Sequence, residues 1–322
     1  MKSRRSDYDV SNTIKVTNSL AVRDAVCDIF KSCYPNQDDN LIRHAFETFK
    51  DLFEGHYKRY HACDTVYHDK QHTLDVTLAF ARLLHGHQKQ IQKVHRFNSI
   101  YMSIGVITAL FHDAGYIRKL NDHTHYNGAE YTRIHVSRSA QFLRDYLIKN
   151  NLGQYAEAAA SMVHYTGYEI PLDKIRLNDI RFHLIGYMIG SADLIAQMAD
   201  RCYLEKCRDR LFPEFQLGGM TEIIKENGDK QVIFDSPESL LIHTPDFYHH
   251  EAMHRLAHHF KHVYRYALSH FGNKNLYMMA VDNNILHIET LIKEKKLEQL
   301  NRIPPENIAT LTSQHKLQDK YY

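Results

Sequence analysis

The sequence predicts an all-α fold, a compact multi-helix bundle, and three observations carry that prediction. Only seven prolines and thirteen glycines punctuate 322 residues, too few for the frequent turns of a β-sandwich. Apolar residues recur at helical spacing over long stretches. No internal repeat or low-complexity linker divides the chain, and 43% apolar residues suffice for one sizeable core. Residues 1–35 are read as an N-terminal extension, 36–215 as the core, and 216–322 as a C-terminal helical part of the same domain.

The elements follow in chain order. LIRHAFETFKDLFEGHYKRY (41–60) is a first amphipathic helix, and HTLDVTLAFARLLHG (72–86) a second, with Gly86 as its stop. SIYMSIGVITALFHDAGY (99–116) is the most apolar helix. Further helices are expected at 129–148, 155–166, 181–211, 251–271 and 282–300. Turn chemistry marks loops at 119–128, 166–179, 213–219 and 226–230. KQVIFD (230–235) has the composition of a short strand without an evident partner.

Composition narrows the function. A net charge of +2, with both signs mixed along the chain, argues against a nucleic-acid binder. The basic N-terminus lacks the apolar stretch of a secretory signal, and no apolar run is long enough to span a membrane. Five cysteines without a CxxC pair read as reduced thiols of a cytoplasmic protein. Twenty-four histidines are the anomaly, since histidine is the commonest metal ligand and the proton carrier near neutral pH.

Three placements ask for a cation. His72 opens an apolar helical run, in YHDKQHTLDV (67–76). His112-Asp113 ends the most apolar helix, where an imidazole and a carboxylate are costly to bury unless something binds them. Asp193 lies among Ile189, Leu194, Ile195 and Met198. Each has an ordinary explanation on its own: a surface histidine, a chance dipeptide, a carboxylate paired with Arg201 or Arg208. Together they read as one His₂Asp₂ site for Zn, Mn or Fe, with Mg at an oxygen-rich neighbour. His68, four residues before His72, would share its face if both are helical, leaving one imidazole to ligate and the other to act as an acid.

The order H…HD…D resembles the HD-domain superfamily of metal-dependent phosphohydrolases. Tyr67-His68-Asp69-Lys70-Gln71-His72-Thr73-Leu74-Asp75-Val76 is similar to the YHNxxHxxDV signature of the class I cyclic-nucleotide phosphodiesterases. Phe111-His112-Asp113 and Ser191-Ala192-Asp193-Leu194 stand where that family has its HD and ADL, and Ile134-His135-Val136-Ser137 is similar to its paired-histidine helix. The resemblance spans about residues 55–215. It implies an HD-domain bundle in which His72, His112, Asp113 and Asp193 hold one divalent ion and Asp113 bridges to a second. It implies His68 as proton donor to the leaving oxygen, with Asp113 also in the catalytic set.

The chain departs from the family in three ways. Asp69 replaces the family's Asn, which is expected to alter hydrogen bonding around His68. His112-Asp113-Ala114-Gly115-Tyr116 lacks the eukaryotic enzymes' second histidine. SLLIHTPDFYHHEAMHRL holds no glutamine where those enzymes grip the purine, with Gln197 and Gln216 too early and Gln231 a weak substitute. The expected activity is hydrolysis of a nucleotide phosphoester, foremost a 3′,5′-cyclic nucleotide. The alternatives are a nucleotidase or dNTP phosphohydrolase, and a non-catalytic nucleotide-binding module. His164, His135, Glu130 and Asp69 are the candidates for supporting positions or a second metal. His123 and His125 are candidates to cap the pocket. His250, His254, His258 and His262 form an i,i+4 stripe read as a solvated or interface face. Tyr116, Tyr165, Tyr168, Phe212, Phe215, Phe247 and Tyr248 could supply a wall for a base. The C-terminal third is expected to shape the pocket or to form a homodimer face.

Overall fold

The computed structural model describes residues 4–225 and 229–306, and these are mostly helical, with one two-stranded hairpin and two isolated bridges. The first helices are α1 (Ser19–Cys33), α2 (Asn40–Phe53), α3 (Lys70–Gln90) and α4 (Ser99–Leu110). The next are α5 (His135–Lys149), α6 (Ala156–Met162), α7 (Ile180–Ala199), α8 (Tyr203–Lys206) and α9 (Phe212–Leu217). Strands β1 (Glu222–Ile224) and β2 (Lys230–Val232) pair antiparallel, with Ile223 opposite Gln231. Then come α10 (Pro237–Asp246), α11 (Tyr266–His270) and α12 (Leu276–Glu294). The expected 230–235 strand therefore exists in part, and its partner is Glu222–Ile224. The loop expected at 226–230 and the last residues of the chain lie largely outside the described residues.

Helix α3 is the axis of the bundle, packed against α1, α4, α7 and α11. Its length corrects the sequence expectation: the helix runs through Gly86 to Gln90. A Cβ on Gly86 would lie 1.8 Å from the Tyr266 carbonyl oxygen, so this glycine admits a neighbouring backbone instead of ending the helix. Helix α2 stops earlier than expected. Gly55 takes a φ of +80°, Gly55 N donates to the Leu52 carbonyl and His56 N to that of Asp51, which is a Schellman close.

Other boundaries move for equally local reasons. The expected 181–211 helix breaks at Asp200, whose carboxylate accepts from Cys202 N at 2.7 Å and from Lys206 Nζ at 2.6 Å, turning the chain by its own side chain. The 129–148 helix begins only at His135, after a single turn at Gly128–Tyr131. The expected 251–271 helix contains π-turns and ends near Phe260, with Lys261 and His262 at φ 53° and 59°. The stripe from His250 to His262 is therefore not continuous.

Residues set apart as an extension belong to the packing. Val16, Val22, Val26, Cys27 and Phe30 are buried in the main core, and Asp9 forms a 2.6 Å buried ion pair with Arg82 of α3. No helix among the described residues is long and apolar enough to cross a membrane.

Candidate metal centre

Three chain segments aim their polar ends at one point. His72 stands in the first turn of α3, held by Asp69, whose carboxylate caps the helix by accepting from His72 N at 2.9 Å. Helix α4 ends at Leu110, so His112 and Asp113 occupy the turn beyond it before a 3₁₀ turn at Ala114–Tyr116. Asp193 projects from the buried middle of α7. His72 Nε2 lies 3.3 Å from Asp113 Oδ2 and 3.3 Å from Asp193 Oδ1. His112 Nε2 lies 3.1 Å from Asp113 Oδ2, 3.4 Å from His72 Nε2 and 3.8 Å from Asp193 Oδ1. Donor atoms about 2.1 Å from a common ion stand roughly 3.0–3.4 Å apart in octahedral or tetrahedral arrangements. The spacings among His72, His112 and Asp113, and from His72 to Asp193, fit an ion of that size, whereas the 3.8 Å from His112 to Asp193 is longer; the set is mixed nitrogen and oxygen.

Hydrogen bonding gives an independent test of that fit. His112 Nδ1 is 2.8 Å from the Ala109 carbonyl, which can only accept, so the neutral ring's proton sits on Nδ1 and the Nε2 lone pair faces the carboxylates. Asp113 Oδ2 is buried with no hydrogen-bond donor among the described residues. Acceptors facing acceptors in a buried site require either protons or a cation. Without a cation the balance falls to protons. Burial works to lower the His72 pKa, but Asp113 and Asp193 outweigh it and raise it to about 10. Burial likewise opposes ionisation of Asp113, yet His112 and His72 hold that carboxyl well below its ordinary range.

The other oxygen of Asp113 faces elsewhere. Asp113 Oδ1 lies 3.9 Å from His135 Nε2, and His135 Nδ1 donates to the Thr132 carbonyl at 2.7 Å. Burial lowers the His135 pKa and favours the neutral ring. Asp113 thus stands between two donor groups, one oxygen toward each.

His68 is not on the helix of His72. It precedes the cap, so the expected shared helical face is absent, yet the turn brings the two rings to 5.6 Å. Its environment also corrects the expectation about Asp69. The partner of His68 Nδ1 is Glu214 Oε1 of α9, at 2.8 Å. Glu214 Oε2 additionally accepts from His68 N at 3.2 Å and from Tyr67 N. Asp69 instead caps α3 and pairs with Arg210 at 3.4 Å. Tyr116 stacks on His68 with centroids 4.5 Å apart, and on His135 at 4.3 Å.

His68, His72, Asp113, Tyr116, His135 and Asp193 form the floor of a cavity of about 490 Å³, of ligand-binding size. Leu194, Leu211, Phe215, Met220, Phe234, Leu240 and Phe247 make its apolar wall. Tyr116, Tyr168, Phe215 and Phe247 of the expected aromatic set line it, whereas Tyr165, Phe212 and Tyr248 do not. Met220, Phe234, Leu240, His243, Thr244 and Phe247 of the C-terminal third thus shape the pocket. Gln197 also lines it, one helical turn beyond Asp193, with Oε1 accepting from Tyr67 OH at 3.0 Å.

Several expected residues are elsewhere. Glu130 spends its carboxylate on a capping box, accepting from Tyr126 N and Asn127 N, and does not reach the cavity. His164 does not line it. His125 pairs with Asp122 at 3.0 Å, and neither it nor His123 borders the pocket. Asp193 faces the imidazoles, not Arg201 or Arg208. Sequence reasoning missed Glu214, for which FPEFQ carries no signal. It discounted Gln197, whose i,i+4 spacing from Asp193 was available.

A family model described as Npun_R2479-like matches residues 120–289, just over half of the chain. The chain belongs to the Npun_R2479-like family. The region matched in this Npun_R2479-like protein includes His135, Asp193, Gln197 and Glu214, while His68, His72, His112 and Asp113 precede it. No curated protein matches the chain, and no solved structure does.

Proposed function

We propose that this protein is a metal-dependent phosphohydrolase of the HD type that hydrolyses a nucleotide phosphoester, foremost a 3′,5′-cyclic nucleotide. The observation that carries the reading is the convergence of His72, His112, Asp113 and Asp193 beside the His68–Glu214 pair, with His68, His72, Asp113 and Asp193 lining one cavity. His72, His112, Asp113 and Asp193 would hold one divalent ion, and Asp113 with His135 a second. Such ions, of the Zn, Mn, Fe or Mg class, would supply Lewis acidity and a water of lowered pKa.

The chain's own residues do the rest. Glu214 accepts the Nδ1–H of His68, which fixes the ring; as an imidazolium, with its second proton on Nε2, His68 would give that proton to the departing alkoxide oxygen and be left as the neutral Nδ1–H tautomer. Tyr116 holds the ring plane by stacking. The apolar wall excludes water and offers a surface for a base. Gln197, its Oε1 engaged by Tyr67, keeps its amide N–H groups for the substrate.

Charge favours a substrate with one phosphate over a dNTP. Arg133 is the single Lys or Arg among the described lining residues, and it already donates to the Gly219 carbonyl. A triphosphate would leave several negative charges poorly matched. The cytoplasmic setting expected from the cysteines, all five unpaired, belongs to the same proposal.

The test is hydrolysis of cyclic AMP, cyclic GMP, mononucleotides and dNTPs by metal-loaded protein, with and without chelator. Turnover should be chelator-sensitive and lost in His112→Ala. A protein that turns over none of them, or a His112→Ala variant as active as the parent, sinks the reading.

A further inference from the structure

A second cavity of about 510 Å³ lies behind the wall of the first, and Gly167 and Tyr168 border both. Arg255 reaches into it. This side chain is buried, 6% exposed, and its hydrogen-bond partners among the described residues are carbonyls, with no carboxylate paired to it. Its Nη2 donates to the carbonyls of Tyr165 and Gly167 at 3.0 and 2.7 Å, and its guanidinium lies 4.1 Å from the Tyr168 ring centroid. The remaining guanidinium N–H groups have no acceptor among the described residues. A buried guanidinium held by two carbonyls and a tyrosine face, without a carboxylate, leaves room for an anion.

The surroundings add to that charge. The π-turn at Arg255–His259 gathers three imidazoles on the same cavity, with His254 and His258 rings 4.7 Å apart and His254 and His259 5.1 Å. Lys261 borders it too, at the strained φ of 53°. Two acids, Glu251 and Asp173, also line the cavity; Asp173 lies 4.0 Å from Lys174. Tyr165, Tyr168 and Tyr187 provide aromatic surface.

We infer that this cavity is a second ligand site, for a small phosphorylated molecule. Its phosphoryl group sits against Arg255, Lys261 and His258, and its apolar body against the tyrosines. The inference does not rest on the catalytic reading. It connects to the first site through residues 165–169. Glu169 accepts from Val136 N at 2.7 Å and Ser137 N at 2.9 Å, and so anchors the start of α5 beside His135. Occupancy at Arg255 would thus be felt where His135 meets Asp113.

The test is calorimetric titration of the full chain with AMP and with inorganic phosphate, in the parent, in His72→Ala and in the exposed pair Lys261→Ala/His258→Ala. Binding that survives His72→Ala and weakens at least tenfold in the pair variant is the expected result. Phosphate binding with the same dependence assigns recognition to the phosphoryl group, and AMP protects His258 and His259 from carbethoxylation. An AMP isotherm unchanged in the pair variant, or no protection of those histidines, overturns the site. Loss of all hydrolysis with this pattern intact would overturn only the catalytic proposal.

Discussion

Glu214→Gln separates the role of His68 as an acid from a purely structural one. Glu214 is 1% exposed and takes three N–H groups: His68 Nδ1 at 2.8 Å, His68 N at 3.2 Å, and Tyr67 N. Glutamine keeps one acceptor oxygen but turns an NH₂ toward donors. The lost charge-assisted bond to the ring corresponds to about 1.5–3 kcal/mol, hence roughly a 10- to 100-fold fall in kcat if that bond is what holds the ring in place as the proton-bearing imidazolium. Removing the acid itself by His68→Ala should cost about 10²–10⁴-fold. The informative assay compares leaving groups. A cyclic nucleotide releases an alkoxide that needs a proton, whereas bis(p-nitrophenyl) phosphate releases a phenolate that leaves without one. Both variants should slow the first substrate far more than the second, and the double variant should be no slower than His68→Ala. Equal losses on both substrates would refute proton donation by His68 and reduce Glu214 to a packing residue.

Three further changes read the surrounding structure. Asp69→Asn keeps the cap on α3 but removes the charge facing Arg210; it should lower stability by roughly 1–3 kcal/mol in denaturant titration and leave the pH optimum unmoved. His270 is held down at about 3 by burial, Arg82, His85 and Lys89, and its Nδ1 lies 2.8 Å from His85 Nδ1. The unfolded chain takes that proton near the ordinary 6.5, so stability is complete above that value and declines as pH falls toward 3, by at most about 1.4 kcal/mol per pH unit. His270→Gln should flatten the fall of Tm with acidification in that window. Gly86→Ala forces a methyl to within 1.8 Å of the Tyr266 carbonyl oxygen and should destabilise by about 3 kcal/mol, with specific activity of the folded fraction retained.

How much of this was legible depended on range. Helix existence was readable because α2 shows Ile42, Phe46, Phe49 and Phe53 on one buried face. Helix ends were not, because what ends or prolongs them is local hydrogen bonding or a distant backbone. Gly86 looks like a stop in isolation, and only the carbonyl of Tyr266, far along the chain, explains it. Asp200 looks like another turn of a long helix until its carboxylate closes on Cys202 N and Lys206. The four residues at the candidate centre were legible for a different reason: each is a polar group in an apolar run, and that conflict is visible without coordinates. Glu130 and His164 lacked that conflict, and neither reaches the cavity.

His68 shows why spacing alone misleads. Four residues from His72, it invites a helical argument, and the two rings do meet. The cause is otherwise: Asp69 caps α3 between them, so His68 stands in the preceding turn and is free to point away from the helix axis. Helical spacing would have fixed both rings to one face of one rigid element. The cap instead makes His72 part of α3 and leaves His68 to be aimed by whatever grips its Nδ1. That group, Glu214, comes from 146 residues later in sequence, so the orientation of the candidate acid depends on how α9 docks, while the geometry of His72 depends on α3. The two can then be uncoupled by mutation. Changes in α9 should alter proton delivery without changing metal affinity, and changes at Asp69 that remove the cap, such as Asp69→Ala, should disturb the ligand without changing which oxygen is protonated.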